Sequence, residues 1–470
     1  MATPLVSVIV PTYNGAKFIG NAIRSVLEQT YPNLEMIIVD DCSPDNTEEV
    51  VKQFDDPRLR YIRHDVNQGA ATARRTAFHA SSGSIIAFLD QDDFFHPEKL
   101  EAHVDFLEAH PEIGFTYNPY FEMVQSSTEA IRTVWQPPKN ISLTELTLAF
   151  YLPPSSWVVR REWASIEEIW EEHSSMRGRE IVVLGKLFLS GCKFARVNRV
   201  LHHRCYHARR NVKNLEKNCK DELTCQEIIF SDPRCPTEVL NLRPLANAII
   251  EGMWANVAFA QNETELGRKF LWNIAQYNPF AFAGMPSAYM KFMMGYCVDD
   301  ESYDYETLLD QLISQLPAQV PGILPNYLWA VSRGNFIRGV RAAIWNRPED
   351  AKRYFARTVE LKFEMDEEAI QQVTHELLGY ELCYGAEAAL DMLSRLSSSL
   401  EAVTGKRSAS WLKGSYFLNI AKQDSTGDKN GITPGTILGA IASHPKYLLN
   451  RGMLSTLIKS MAGPSSASAR

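Results

Sequence analysis

An α/β fold on a parallel sheet, followed by an all-α half, is what this sequence of 470 residues predicts. Three observations predict it. Strand-like apolar runs and helical apolar spacings alternate four times in about the first ninety residues, which is the pattern of β/α units in a parallel sheet. The run Ile85–Leu89 is apolar throughout and ends in Asp90-Gln91-Asp92-Asp93, so it reads as a strand buried on both faces with acids at its C-terminal edge. After Pro236 only helical stripes remain.

Taken in order, Val6–Val10 is a compact β-branched run that ends at the turn cluster Pro11-Thr12-Tyr13-Asn14-Gly15. Phe18, Ile19, Ala22, Ile23, Val26 and Leu27 then repeat at helical spacing. Leu34–Val39 is the second strand and runs into Asp40-Asp41-Cys42-Ser43. Pro44 and the following acids open a helix carried by Val50, Val51 and Phe54. Arg60–Arg63 is a short third strand, and Asn67-Gln68-Gly69 precedes an alanine-rich helix to about Ala80. Right-handed crossovers collect the loops after all four strands along one edge. That edge therefore holds Thr12 to Asn14, Asp41, Asn67 and Asp90 to Asp93, where open α/β sheets bind ligands.

Composition narrows the function. A net charge of -8 argues against nucleic acid as a partner. No apolar stretch approaches the ~20 residues of a membrane span, and no signal peptide is visible. The eight cysteines form no Cys-x-x-Cys, so a reducing, cytoplasmic setting is expected, with most thiols as small core residues. Neither Gly-x-Gly-x-x-Gly nor a P-loop is present. The predicted edge nevertheless suits a nucleotide. Asp41 can accept from the imide of a base such as uracil, backbone groups near Pro11 and Thr12 can pair with its carbonyls, and Tyr13 offers a flat face or a hydroxyl. Asp90 is placed for ribose hydroxyls. A pyrophosphate wants cations, which a metal on Asp92 and Arg74 or Arg75 would supply.

The segments Val6–Asn14, Ile38–Ser43, Asn67–Arg74 and Phe88–Asp93, in this order and spacing, resemble glycosyltransferase family 2. The resemblance covers roughly residues 5–210. It implies a GT-A, Rossmann-like fold that binds a nucleotide-sugar, a divalent metal (Mn2+ or Mg2+) and inversion at the anomeric carbon. Carried over, Asp41 reads the base, Asp90 the ribose and Asp92 the metal, with Asn67 and Gly69 in the donor-binding loop. Cys42 stands where the family usually has glycine, and a positive φ there would strain it. Pro153–Arg161 resembles the strand that reaches the acceptor side. In Arg177-Gly178-Arg179-Glu180, Glu180 matches the family's general base; Glu162 is a rival acid without motif support, and a charge at a helix N-terminus is the structural alternative for Glu180. Arg204 and His207 match the family's closing Arg-x-x-His segment, over the donor phosphates and beside the metal respectively. His202 and His203 are expected to have no role.

The domain boundaries that follow are 1–210 for the catalytic domain, 211–236 for a linker helix, 237–462 for a helical domain and 463–470 for a disordered tail. Tyr327–Leu361 is either a degenerate tetratricopeptide-like helix–turn–helix or part of an irregular bundle. Residues 422–435 read as a flexible loop. The stripe from Lys446 to Lys459 is either a peripheral membrane helix or a face packed on its own domain. The expected activity is transfer of a sugar, with a UDP-sugar as donor, to a glycan or lipid-linked acceptor in cell-surface polysaccharide synthesis, at the inner face of the plasma membrane. The alternative is an inactive nucleotide-sugar-binding scaffold whose helical half recruits partners. A nucleotidyltransferase would want a glycine- and lysine-rich loop after the first strand, which Pro11–Asn14 does not provide.

Overall fold

The computed structural model describes residues 3–123, 131–148, 152–165, 179–205, 212–320 and 322–424. His207, Arg177, Gly178, the stripe from Lys446 to Lys459 and the tail at 463–470 lie outside the described residues. The chain forms two compact units, Met1–Tyr327 and Leu328–Arg470.

The first unit begins with β1 (Val6–Thr12), α1 (Ile19–Leu27), β2 (Leu34–Asp40), α2 (Thr47–Val51), β3 (Leu59–Arg63), α3 (Ala70–Ala80) and β4 (Ile85–Phe88). β1 pairs in parallel with β2 and β4, and β2 with β3. Next come β5 (Phe94–Phe95), α4 (Lys99–Ala109), β6 (Phe115–Tyr117), β7 (Tyr120–Met123), β8 (Ile131–Trp135) and α5 (Leu143–Thr147). They are followed by β9 (Val158–Arg160), α6 (Arg161–Ala164), α7 (Arg179–Leu189), β10 (Phe194–Arg196) and β11 (His202–Cys205). The main sheet has the order β10-β6-β9-β4-β1-β2-β3, and a second sheet has the order β5-β11-β7-β8. β9 is antiparallel to both β4 and β6. This is the α/β, GT-A arrangement expected from the sequence.

Side-chain alternation explains why β1, β2 and β4 lie in the middle. Val6, Val8 and Val10, with Met36, Ile38, Ile85, Ala87 and Leu89, pack on α1 and α4. Ile9, Ile37, Val39, Ile86 and Phe88 point the other way, onto α3 and α7. A strand that buries both pleat faces has to be apolar at every position, and each such side chain contributes about 1.5–3 kcal/mol of burial. The second sheet was not legible in advance. From sequence Tyr120–Met123 reads as an extension of β6 or as part of a hairpin; Asn118-Pro119 rules out the extension, because proline lacks the N–H a central strand needs. The chain leaves the main sheet there, and β7 pairs with β8 and β11.

Helices follow: α8 (Leu215–Phe230), α9 (Thr237–Leu240), α10 (Arg243–Ala260), α11 (Thr264–Tyr277), α12 (Ala288–Asp299), α13 (Tyr305–Ser314) and α14 (Ile323–Ile344). α8 occupies much of the stretch read as a linker, and it is built into the core. Cys219, Cys225, Ile229 and Phe230 are buried, and Ile229 and Phe230 join the cluster that contains Leu184 and Leu187 of α7. Gly185 permits this approach, because a Cβ there would lie 2.5 Å from Ile229 Cδ1. The compact first unit takes in α8 to α13.

In the second unit, α14 turns at Asn346 (φ 56°) into α15 (Pro348–Glu360). Arg338 donates to the Tyr354 hydroxyl at 3.0 Å, tying this helix–turn–helix together. α16 (Glu367–Thr404) is broken at Gly385, and α17 (Lys406–Asp424) follows. Among the described residues no helix is long and apolar enough to cross a membrane.

Truncating Ile229 to alanine should cost about 2–4 kcal/mol of stability in urea unfolding. A helix hanging free as a linker would show a change within about 0.5 kcal/mol.

Candidate active site

The C-terminal ends of β1, β2 and β4, with the loop before α3, enclose a cavity of about 490 Å³. Pro11, Thr12, Tyr13, Asp41, Asn67, Gly69, Arg74, Asp90 and Asp92 all line it. Nine of the residues expected to bind donor or metal thus face one pocket, as parallel strands with right-handed crossovers require.

Asp41 is 2% exposed. Its carboxylate accepts from the backbone N–H of Gln68 (2.9 and 3.0 Å) and of Gly69 (2.6 Å), and from His64 Nδ1 (2.8 Å). These three donors reach both carboxylate oxygens and so fix the orientation of the group. Gly69 has φ 89° and ψ 154°, a conformation open essentially to glycine alone, and it brings its N–H onto Asp41. Cys42 has φ 65°, so the strain suspected at this position is present. Its half-buried thiol donates to the Asp65 carbonyl at 3.3 Å.

The acidic end of β4 is held from three sides. Asp93 accepts from the Ser155 hydroxyl (2.5 Å) and from the Cys205 N–H (3.0 Å). Ser155 Oγ in turn accepts the Asp90 N–H at 3.0 Å. Gln91 ties this loop to the end of β1: its Oε1 accepts from Thr12 Oγ1 (2.6 Å) and the Tyr13 N–H (2.9 Å), and its Nε2 donates to the Tyr13 carbonyl (3.1 Å). Burial pushes the Asp90 carboxyl above its ordinary range; Arg74 opposes the shift, while Asp92 and Glu180 add to it. Burial, then Asp92 and Asp90, push Asp93 well above its ordinary range.

Arg74 lines the cavity and also meets two carboxylates. Its Nη2 donates to Asp90 Oδ1 at 2.7 Å, and its Nη1 lies 3.5 Å from Glu180 Oε1. Arg75 is on the exposed face of the same helix, which separates two neighbouring arginines by their helical rotation. Glu180 sits in the first turn of α7, at the pocket through Arg74. Glu162 lies in α6 and does not line the cavity. Arg204 does not line it either: it donates to Glu122 at 3.1 Å, beside the ion pair of Glu122 with Arg132. His202 is buried, within 3.1 Å of Asn118 Nδ2, and His203 is stacked between Phe94 and Phe121. Both rings pack against neighbouring side chains.

Four residues that matter here were given no role of their own in advance: His64, which lies in no motif, and Gln91, Asp93 and Ser155, which lie inside the segments Phe88–Asp93 and Pro153–Arg161. His64 directly follows β3, so the rule that strand ends line the site could have found it. The other three act through partners 62 to 112 positions away, which no local pattern encodes.

A divalent cation fits this donor set. Asp90 and Asp92 are hard oxygen donors on one wall of the cavity. Among the described residues no group of three or more His, Cys, Asp or Glu makes a closed metal cage. One or two carboxylates completed by substrate phosphates is how such an ion is commonly held.

Residues 7–165 match the family model described as Glycosyl transferase family 2, so the N-terminal region of this chain is a domain of that family. Among curated proteins, the putative teichuronic acid biosynthesis glycosyltransferase TuaG of Bacillus subtilis is 39% identical over 136 residues, 28% of this chain and 54% of the relative. The UDP-Glc:alpha-D-GlcNAc-diphosphoundecaprenol beta-1,3-glucosyltransferase WfgD of Escherichia coli is 43% identical over 116 residues, 25% of this chain and 46% of the relative. The chain thus spans about half the length of the curated relatives it matches. A crystal structure of S. aureus TarS 1-349 in complex with UDP covers 76% of this chain and 88% of that one, at 16% identity and TM-score 0.40, a likeness too loose to argue from.

Replacing Cys42 by glycine should relieve the left-handed strain and raise stability by about 1 kcal/mol, read as a higher thermal midpoint. Removing the Ser155 hydroxyl with alanine should cost about 1–3 kcal/mol, because it strips a buried carboxylate of a donor.

Proposed function

We propose that this chain is a metal-dependent, inverting glycosyltransferase. It moves a sugar from a nucleotide-sugar, with UDP as the nucleotide, to a hydroxyl of a glycan or lipid-linked acceptor in cell-surface polysaccharide synthesis. The single observation that carries this reading is the convergence of Asp41, Asp90 and Asp92 on one 490 Å³ cavity, with Glu180 joined to it through Arg74.

Each residue then has a task. Asp41, locked by Gly69, Gln68 and His64, accepts the imide N–H of the base, and Tyr13 covers the ring. Asp90 accepts from the ribose. Asp92, and His207 beyond the described residues, would hold a Mn2+ or Mg2+ ion. Bound there, such an ion supplies Lewis-acid neutralisation of the charge on a leaving diphosphate. Glu180 takes the proton from the acceptor hydroxyl, which attacks the anomeric carbon from the side opposite the diphosphate and so inverts it. The printed name of WfgD gives a diphosphoundecaprenol acceptor; a similar lipid-linked acceptor here would put the reaction at the inner face of the plasma membrane.

The test is a panel of UDP-sugars and GDP-mannose with Mn2+, read as released nucleotide with and without acceptor. At least one donor should turn over, and a panel with no turnover and no UDP binding by calorimetry would overturn the reading. Asp92→Ala should lower turnover about 100-fold or more while the protein stays folded. Glu180→Gln should keep UDP binding and lose transfer by about 100-fold or more.

A further inference from the structure

We propose that Arg74 is a positioning residue that couples the donor-side carboxylate Asp90 to the base Glu180. This rests on the reading of Glu180 as general base. The guanidinium is planar, and its two terminal nitrogens leave the same carbon in a fixed fork. Here the two tines serve different carboxylates. Nη2 meets Asp90 at 2.7 Å, a tight charge-assisted hydrogen bond, while Nη1 reaches Glu180 at the looser 3.5 Å. The three residues come from the end of β4, from α3 and from the first turn of α7. No backbone pairing joins α7 to β4, so the guanidinium is a direct link between them at the pocket. The side chains of Arg74, Asp90 and Glu180 are only 14%, 29% and 22% exposed, so water screens this link weakly.

A rigid fork has a consequence that a point charge lacks. Any shift of the Asp90 carboxylate turns the guanidinium plane and moves the nitrogen facing Glu180. A ribose seated on Asp90 therefore sets where Glu180 stands when the acceptor arrives. Arg74 itself touches no reacting atom in this scheme. Asp90 and Glu180 are thus among the partners that define its place.

Kinetics of the full chain separate this from direct phosphate binding, using Mn2+ and the nucleotide-sugar that the wild type turns over fastest. Arg74→Ala should lower kcat about 100-fold, the cost of a base misplaced by about 1 Å, with KM for the donor and calorimetric UDP affinity little changed. Arg74→Lys should recover only part of kcat, since an ammonium cannot serve both carboxylates as a fork does. In the Glu180→Gln background, Arg74→Ala should cause no further loss, because the two residues act as one unit. Losses that multiply in the double variant would overturn the coupling, as would a raised KM with kcat preserved. Full transfer by Glu180→Gln would overturn the base assignment and the coupling with it, whereas a failed coupling alone leaves that assignment intact. Arg74→Lys keeps the test open should the alanine variant unfold.

Discussion

Like charges crowded at the end of one strand are the constraint on which the site depends. Asp90, Asp92 and Asp93 follow β4 within five positions, and Asp41 lines the same cavity from the end of β2. Carboxylates this close repel, and in a half-dry cleft the repulsion is weakly screened. The protein meets this separately for each acid. Asp41 takes two backbone N–H groups and an imidazole. Asp93 takes a hydroxyl and a backbone N–H. Asp90 takes the guanidinium of Arg74.

These solutions tie distant pieces of chain to one point. Ser155 comes from the turn before β9, Cys205 from the end of β11, and Gly69 from the start of α3. The second sheet is joined to the first where Cys205 meets Asp93, so the acid loop is also a structural knot. The two roles support each other: the donors that make the acids tolerable also hold them in one geometry, which is what pre-organised electrostatics requires.

Beneath the acids lies a buried polar cluster that the proposed chemistry does not use. Lys99 donates to Asn118 at 2.6 Å, and His103 bridges Thr116 and Asn118. Burial holds Lys99 and His103 well below their ordinary pKa ranges. Lys99 also lies 4.8 Å over the Phe95 ring, so a cation–π contact accompanies its single hydrogen bond. The cluster joins α4 to β6, and through Asn118 to His202 of β11. Asn118 thus links the layers at the point where the chain changes sheets.

The sequence by itself determined the alternation of strand and helix, the two-faced burial of β1, β2 and β4, and the edge on which Asp41, Asn67, Asp90 and Asp92 meet. Those follow from side-chain period and crossover handedness, which are local or nearly so. Tertiary structure decided what depends on partners far away in the chain. Gln91 clasps Tyr13 from 78 positions away; Arg74 faces carboxylates while Arg75 faces solvent; Arg204 turns to Glu122 rather than to the pocket. α8 was hidden because its charged residues give it the look of a linker, yet Cys219, Cys225 and Ile229 line its inner face. Which residues stand opposite one another is settled by packing, and packing is a property of the assembled layers rather than of any stretch read alone.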